Sequence, residues 1–284
     1  INHEIPQALL ERVYVESQRF FALGEEEKMT MEFTPSRPTG YRGLGTSKSG
    51  ASKLDTIKKP NLNESFFVNP ECVAEGDGIG KIPHIAPNQW PSALHGFRET
   101  LLEYFQVMEA LGMRMLPLFA VALDLDTDYF SPFFRRPLTG LRLAHYPPMP
   151  HEEDQYGLSP HTDSGFMTLL PQSKVSGLQI RPKGSDWIAP PDIPGSLIVN
   201  SGDILKRWSN DRFLSTPHLA KNITNKHRYS LPFFFDPDAD ALIECLHTCQ
   251  NAENPPSYPA TKYGDYRAWF LSSNFGPPTR EKST

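Results

Sequence analysis

The segment Pro160-His161-Thr162-Asp163 is where the chemistry of this sequence starts. On a β-strand, residues two apart point to the same face. His161 and Asp163 would then present an imidazole and a carboxylate side by side. A further histidine from a distant strand would complete a two-His, one-carboxylate face suited to Fe(II), with open positions opposite. The spacing alone is weak evidence, because the chain has 9 histidines and a polar surface turn gives the same pattern.

The remaining histidines differ in setting. His3, His84 and His95 fall in a half that reads as helical, and His145 precedes Tyr146 with the opposite strand parity. His151 lies in an acidic HEED loop, His227 precedes a strand, and His247 sits between two cysteines. His218 lies in Ser215-Thr-Pro-His218-Leu-Ala, a β-like segment with a polar lead-in, and Arg228-Tyr-Ser230 follows it. Arg228 and Ser230 share one strand face. A planar guanidinium beside a hydroxyl is a good receptor for a carboxylate. A surface salt bridge is the commoner fate of a lone Arg, but this one enters an apolar run ending LPFFF.

Several elements must position these groups. Leu9, Val13, Phe20 and Leu23 predict an amphipathic helix over 5–23, with Gly24 as its stop and EEEKM as a further helical turn. Residues 33–90 read as an irregular stretch that shapes a substrate entrance, with one apolar patch at Glu64-Ser-Phe-Phe-Val68. Spacings of three and four from Leu94 to Phe119 predict a helix over 91–123, with Pro91 in its first turn and Pro117 kinking or splitting it. After Asp128, short β-prone runs alternate with turn residues: 139–146, 165–170, 176–181, 186–189, 196–200, 213–220 and 228–235. That texture predicts a β sandwich or barrel rather than βαβ units. A last helix is expected over 262–272.

Composition sets the bounds. The 284 residues carry a net charge of −5 and 28 prolines, too many for a helical bundle. No basic stripe suggests nucleic acid, and no run of apolar residues is long enough to suggest a membrane span. Three cysteines, Cys72, Cys245 and Cys249, are too few for a disulfide framework, so a cytoplasmic, reducing setting is expected.

His161-Thr-Asp163-Ser-Gly165-Phe-Met-Thr168-Leu-Leu170, Gly177-Leu-Gln-Ile180, Asn200-Ser-Gly-Asp203, His218 and Arg228-Tyr-Ser230 occur in one order. Together they resemble the 2-oxoglutarate- and Fe(II)-dependent oxygenases, in the isopenicillin N synthase-like branch. That branch includes plant flavonoid and gibberellin oxygenases and fungal thymine hydroxylase. Asn2-His3-Glu4-Ile5-Pro6 and Asn88-Gln-Trp-Pro91 also resemble family elements, so the likeness covers most of the chain.

The resemblance implies a mainly β chain: a double-stranded β-helix (jelly-roll) core with a helical N-terminal half. One oxygenase domain would span 1–284, with a helical portion over 1–128 that includes the loop 33–68, a core over 129–240, and a C-terminal loop and helix over 241–284. His161, Asp163 and His218 would hold Fe(II), and Arg228, Ser230 and Tyr146 would hold 2-oxoglutarate. The substrate would be a small organic molecule, hydroxylated, desaturated or cyclised with O2 while 2-oxoglutarate yields succinate and CO2. Strand parity groups Arg142 with Tyr146 and Phe234 with Arg228, so Arg142 and Phe234 are expected on the substrate side; Tyr41, Arg42, Phe66 and Phe67 of the 33–68 loop and the segment near Phe270 and Asn274 are further candidates to frame the pocket. Departures from the family wording are Glu4, Ala144 and Leu219, none of them a metal ligand. Two other readings share the scaffold: an Fe(II) oxidase that does not use 2-oxoglutarate, and a non-catalytic small-molecule binder.

Other motifs carry less. Cys245, His247 and Cys249 read as a surface segment rather than a zinc site, because no second ligand pair accompanies them. Asp124, Asp126 and Asp128 read as a solvated helix end, and Asn200 to Asp203 as a structural turn. Relatives place a strand before the Asn-His-x-Ile-Pro element, so the natural chain is expected to extend N-terminally by a few tens of residues.

Overall fold

The computed structural model describes residues 1–46, 59–71, 86–149, 152, 154–222 and 224–275. His84, His151, Cys72 and the 47–58 portion of the expected loop therefore lie outside the described residues.

The chain opens with α1 (Gln7–Phe21) and the short α2 (Glu25–Met29). α1 buries Leu9, Val13 and Phe20 of the predicted stripe, and Phe21 beside them, while Leu23 lies beyond the helix end and is half-buried. The stretch expected to be irregular instead supplies two strands, β1 (Gly40–Arg42) and β2 (Glu64–Val68). They pair antiparallel with each other, and β2 pairs with β3 (Gly140–Tyr146).

The long helix α3 (Phe97–Ala122) starts after Gly96, well beyond Pro91, which lies in a preceding turn. Pro117 neither splits nor ends it. The ring sits on the exposed side of the helix, where water can serve the carbonyl that loses its partner. Among the described residues α3 alone is long and apolar enough to cross a bilayer by length and composition. Here it docks on α1, and its Phe105 packs edge-on against Phe233 of the sheet.

Seven strands form the larger sheet. Its order is β1-β2-β3-β10-β5-β7, with β9 (Arg228–Ser230) also paired to β3. β5 is Met167–Pro171, β7 is Leu197–Ser201 and β10 is Phe233–Phe235. The expected single run 228–235 is thus two strands, broken at Leu231-Pro232, since Pro232 has no N–H to give a ladder. A smaller sheet, β4-β8-β6, joins β4 (Leu158–His161), β8 (His218–Ala220) and β6 (Leu178–Ile180). The run 186–189 contributes only a bridge from Ile188 to Ile180. Two mainly antiparallel sheets are the layers of a jelly roll.

One face of the larger sheet meets the helices in an aromatic core of Phe20, Phe66, Phe97, Phe105 and Phe233. The other face looks toward the smaller sheet. α4 (Asp203–Trp208) follows β7, and α5 (Tyr263–Phe275) closes the described chain.

Candidate metal and co-substrate site

β4 and β8 pair so that His161 lies opposite His218. The loop after β4 folds back and brings in Asp163, which is buried. One ligand atom from each of His161, Asp163 and His218 lies within 4.8 Å of the other two. Asp163 Oδ1 is 3.5 Å from His218 Nε2 and 4.0 Å from His161 Nε2.

The surrounding hydrogen bonds select which atoms face inward. His161 Nδ1 donates to the Ser159 carbonyl at 2.8 Å, and His218 Nδ1 to the Thr216 carbonyl at 3.1 Å. With the proton fixed on Nδ1, each ring offers an Nε2 lone pair. Asp163 Oδ2 accepts from Thr168 Oγ1 at 2.8 Å and from Asn200 Nδ2 at 2.7 Å. That leaves Oδ1 on the side of the two imidazoles. Burial and then His218 push the His161 pKa down, which holds the ring neutral and able to ligate. Burial alone would raise Asp163, but the two histidines and its donors outweigh this and keep the carboxylate ionised. The donor set therefore fits a divalent metal with open positions.

Thr168 and Asn200 are functional neighbours that sequence reasoning gave no role beyond family motif and turn. The signal was available in part: Thr168 stands opposite Asn200 across β5 and β7. Without that pairing, neither could be placed beside Asp163.

A second cavity of about 80 Å³ adjoins the triad. Leu178, Ile180, Leu219 and Ala220 form part of its apolar wall. Arg228 and Ser230, both buried, also line it. Among the described residues, Arg228 Nε and Nη1 are buried without a hydrogen-bond partner. An uncompensated guanidinium edge costs several kcal/mol on the order of a buried unpaired charge, unless an anion meets it. Tyr146 also lines this cavity, and Arg228 Cζ lies 4.8 Å from its ring centroid. Gly177, at φ +152°, lets the chain pass Arg228: a Cβ there would sit 2.5 Å from the Lys221 carbonyl and 3.1 Å from Arg228 Cδ. The geometry suits a short dicarboxylate.

A larger cavity of about 280 Å³ is also lined by His161 and Asp163. Arg142 and Phe234 line both cavities. The structure places Tyr41 and Phe66 elsewhere. Both are fully buried on the helix-facing side of β1 and β2, with Phe66 against Phe20 and Tyr41 donating to Glu64. Strand parity is the reason: their neighbours Arg42 and Phe67 take the cavity side. Asn274 falls in α5, but its side chain lies outside the described residues. Sequence reasoning also missed Asp236 as a cavity residue. It accepts from the Phe166 N–H at 2.7 Å and from Tyr263 Oη at 2.6 Å.

The family model of the 2OG-Fe(II) oxygenase superfamily matches residues 138–237, and that of the non-haem dioxygenase N-terminal region (in morphine synthesis) matches 1–93. The 2-oxoglutarate-Fe(II) type oxidoreductase hxnY of Emericella nidulans is 35% identical over 97% of this chain and 80% of that protein. Kihadalactone A synthase LFS of Citrus sinensis is 33% identical over 94% of this chain and 80% of its own length. Among solved structures, a full-length Neurospora crassa protein in complex with alpha-KG and thymine superposes with TM-score 0.83 at 29% identity, covering 96% of this chain and 85% of that one. Fold, site and relatives define a jelly-roll oxygenase of the non-haem iron type. The chain belongs to the 2-oxoglutarate- and Fe(II)-dependent oxygenase superfamily, and 2-oxoglutarate and Fe(II) are its co-substrate and metal.

Proposed function

We propose that His161, Asp163 and His218 hold the iron, that Arg228, Ser230 and Tyr146 hold 2-oxoglutarate, and that the larger cavity holds the small molecule to be oxidised. The observation that carries this reading is the orphaned edge of Arg228. Among the described residues, its Nε and Nη1 are buried and unpartnered, and Arg228 lines the same small cavity as the triad. The far carboxylate of 2-oxoglutarate would satisfy them, with the Ser230 hydroxyl as a further donor.

When bound, the metal supplies O2 activation coupled to oxidative decarboxylation of 2-oxoglutarate to succinate and CO2. The chain's own residues do the rest. Thr168 and Asn200 hold the Asp163 carboxylate in place through Oδ2. The Ser159 and Thr216 carbonyls fix both imidazole tautomers. The apolar wall at Leu178, Ile180 and Leu219 excludes water from the co-substrate. Arg142 and Phe234 stand between co-substrate and substrate and would orient the latter. Neighbouring structures contain small organic ligands: thymine in the Neurospora crassa complex and JA in the JOX2 complex.

Anaerobic protein given Fe(II) and 2-oxoglutarate should develop the weak visible band of a metal-chelated keto acid. Aerobic turnover should release succinate with O2 uptake. Product formed without 2-oxoglutarate would instead indicate an oxidase of the isopenicillin N synthase type. Folded protein that binds no Fe(II) would indicate a non-catalytic binder.

A further inference from the structure

β2 and the residues flanking it set a polar row beside the larger cavity. Asn61, Asn63, Ser65, Phe67 and Asn69 alternate along the chain, opposite in parity to Phe66 and Val68, which belong to the aromatic core. Asn63 and Ser65 are engaged by one neighbour: Asn63 Oδ1 accepts from Arg142 Nη2 at 2.7 Å, and Ser65 Oγ from Arg142 Nε at 2.8 Å. Asn61 and Asn69 both line the cavity, and both are buried. Among the described residues, the amide nitrogen of each has no hydrogen-bond partner.

Asn61 is the one whose amide is oriented. Its Oδ1 accepts from the Ser159 N–H at 2.8 Å. A peptide N–H can only donate, so the oxygen must be the atom that meets it, and Nδ2 takes the other prong. Ser159 in turn gives its carbonyl to His161 Nδ1 at 2.8 Å. The amide is thus fixed to the strand that carries a metal ligand. Its own segment is held to the same stretch of chain, because Leu62 N–H donates to the Tyr156 carbonyl at 2.8 Å and Gln155 Nε2 to the Pro60 carbonyl at 2.7 Å. Buried amide N–H groups are rarely left unpaired, since an unmade hydrogen bond away from water is costly. A ligand in the cavity that presents an acceptor atom removes that cost.

We propose that Asn61 Nδ2 is a specificity-determining donor for the substrate, and that the molecule oxidised carries a carbonyl oxygen on a compact apolar body. The donor is neutral, so a ketone, lactone or lactam oxygen satisfies it without bringing a charge into the cavity. Phe67, Phe234 and Trp269 supply apolar surface for the rest of the molecule. A site built to hydrogen-bond one substrate atom discriminates against the analogue that lacks it, because the donor is then left unpaired. This deepens, and rests on, the assignment of metal and co-substrate residues proposed above.

Anaerobic calorimetric titration of protein loaded with Fe(II) and 2-oxoglutarate tests it. The probes are 1-indanone, oxindole and phthalide, each beside the same ring without the carbonyl: indane, indoline and phthalan. At least one carbonyl compound should bind about fivefold tighter than its partner, as expected for one net hydrogen bond. Asn61→Asp keeps an oxygen for the Ser159 N–H but, ionised at about pH 8, offers no donor. Asn61→Leu removes donor and acceptor together. Either variant, shown folded by thermal unfolding, should bring that pair within about twofold. The donor role is overturned if every pair binds wild type within about twofold, or if the folded variants weaken a carbonyl compound and its partner alike. Wild-type protein that binds no 2-oxoglutarate, yet prefers the carbonyl compounds in an Asn61-dependent way, overturns the co-substrate assignment and leaves the donor standing.

Discussion

At the residue scale, the triad is built as much by what holds its outer atoms as by the three ligands. Each histidine has Nδ1 tied to a backbone carbonyl two residues before it, so the tautomer is set by local chain geometry. Asp163 depends on side chains from two strands. Asn200→Ala should therefore lower Fe(II) affinity by about 10- to 100-fold without removing a ligand, since outer partners commonly matter by that much. Metal titration followed by competition with a chelator would measure it, and an unchanged affinity would remove Asn200 from the site. Arg228→Gln keeps the size and some donors but loses the charge. It should raise the KM for 2-oxoglutarate by roughly 10- to 100-fold, in line with about 1.5–3 kcal/mol for a charged hydrogen-bonded contact. Succinate release against 2-oxoglutarate concentration reads this directly. A drop in kcat at unchanged KM would place Arg228 outside co-substrate binding.

At the element scale, the sequence was informative wherever a local pattern alone decides the outcome. Strand parity on β3 and β9 placed Arg142, Tyr146, Arg228 and Ser230 on one face, and the pairing of Ala144 with Ser230 and Tyr146 with Arg228 brings those faces together. Parity alone does not settle β1 and β2, because Gly40–Arg42 and Glu64–Val68 are short strands in a Pro- and Gly-rich stretch without alternation. Their register against β3 decides which aromatics line the cavity, and register is a long-range property. Tyr41, Arg42, Phe66 and Phe67 are all pocket candidates by sequence, and register sends Arg42 and Phe67 to the cavity and Tyr41 and Phe66 to the core. Pro117 shows a local rule overridden by tertiary structure. Its helix is clamped by Leu116, Phe119 and Ala120 on the buried side, which holds it continuous across the missing hydrogen bond. Pro117→Ala should restore that bond at an exposed position. The variant should melt a few degrees higher, for a gain of about 1–3 kcal/mol. A lower melting temperature would mean that Pro117 limits the unfolded chain more than it weakens the helix.

At the scale of the whole molecule, two buried carboxyl groups pull stability in opposite directions with pH. Burial alone would raise Glu64. Hydrogen bonds from His145 at 2.7 Å, Lys28 at 2.7 Å and Tyr41 at 2.6 Å outweigh it and hold the pKa below the usual value. This network fastens α2, β1, β2 and β3, and its contribution is lost as pH falls through that depressed pKa. Asp236 is the reverse case. Burial pushes it up to about 6, against the donors Tyr263 and Phe166. The folded protein then keeps its proton to higher pH than the unfolded chain, whose aspartates titrate near 3.9. Stability from this group is greatest below about pH 4, falls as pH rises to about 6, and stays reduced above that. Asp236→Asn preserves an oxygen for the Phe166 N–H and offers a donor to Tyr263 Oη, while removing the charge. At pH 7.5 it should be more stable than wild type by up to about 3 kcal/mol, with the difference closing near pH 4. Urea unfolding of metal-free protein at the two pH values checks this. A variant destabilised equally at both would show that the ionised carboxylate ties α5 to the loop after Asp163 more strongly than its burial costs.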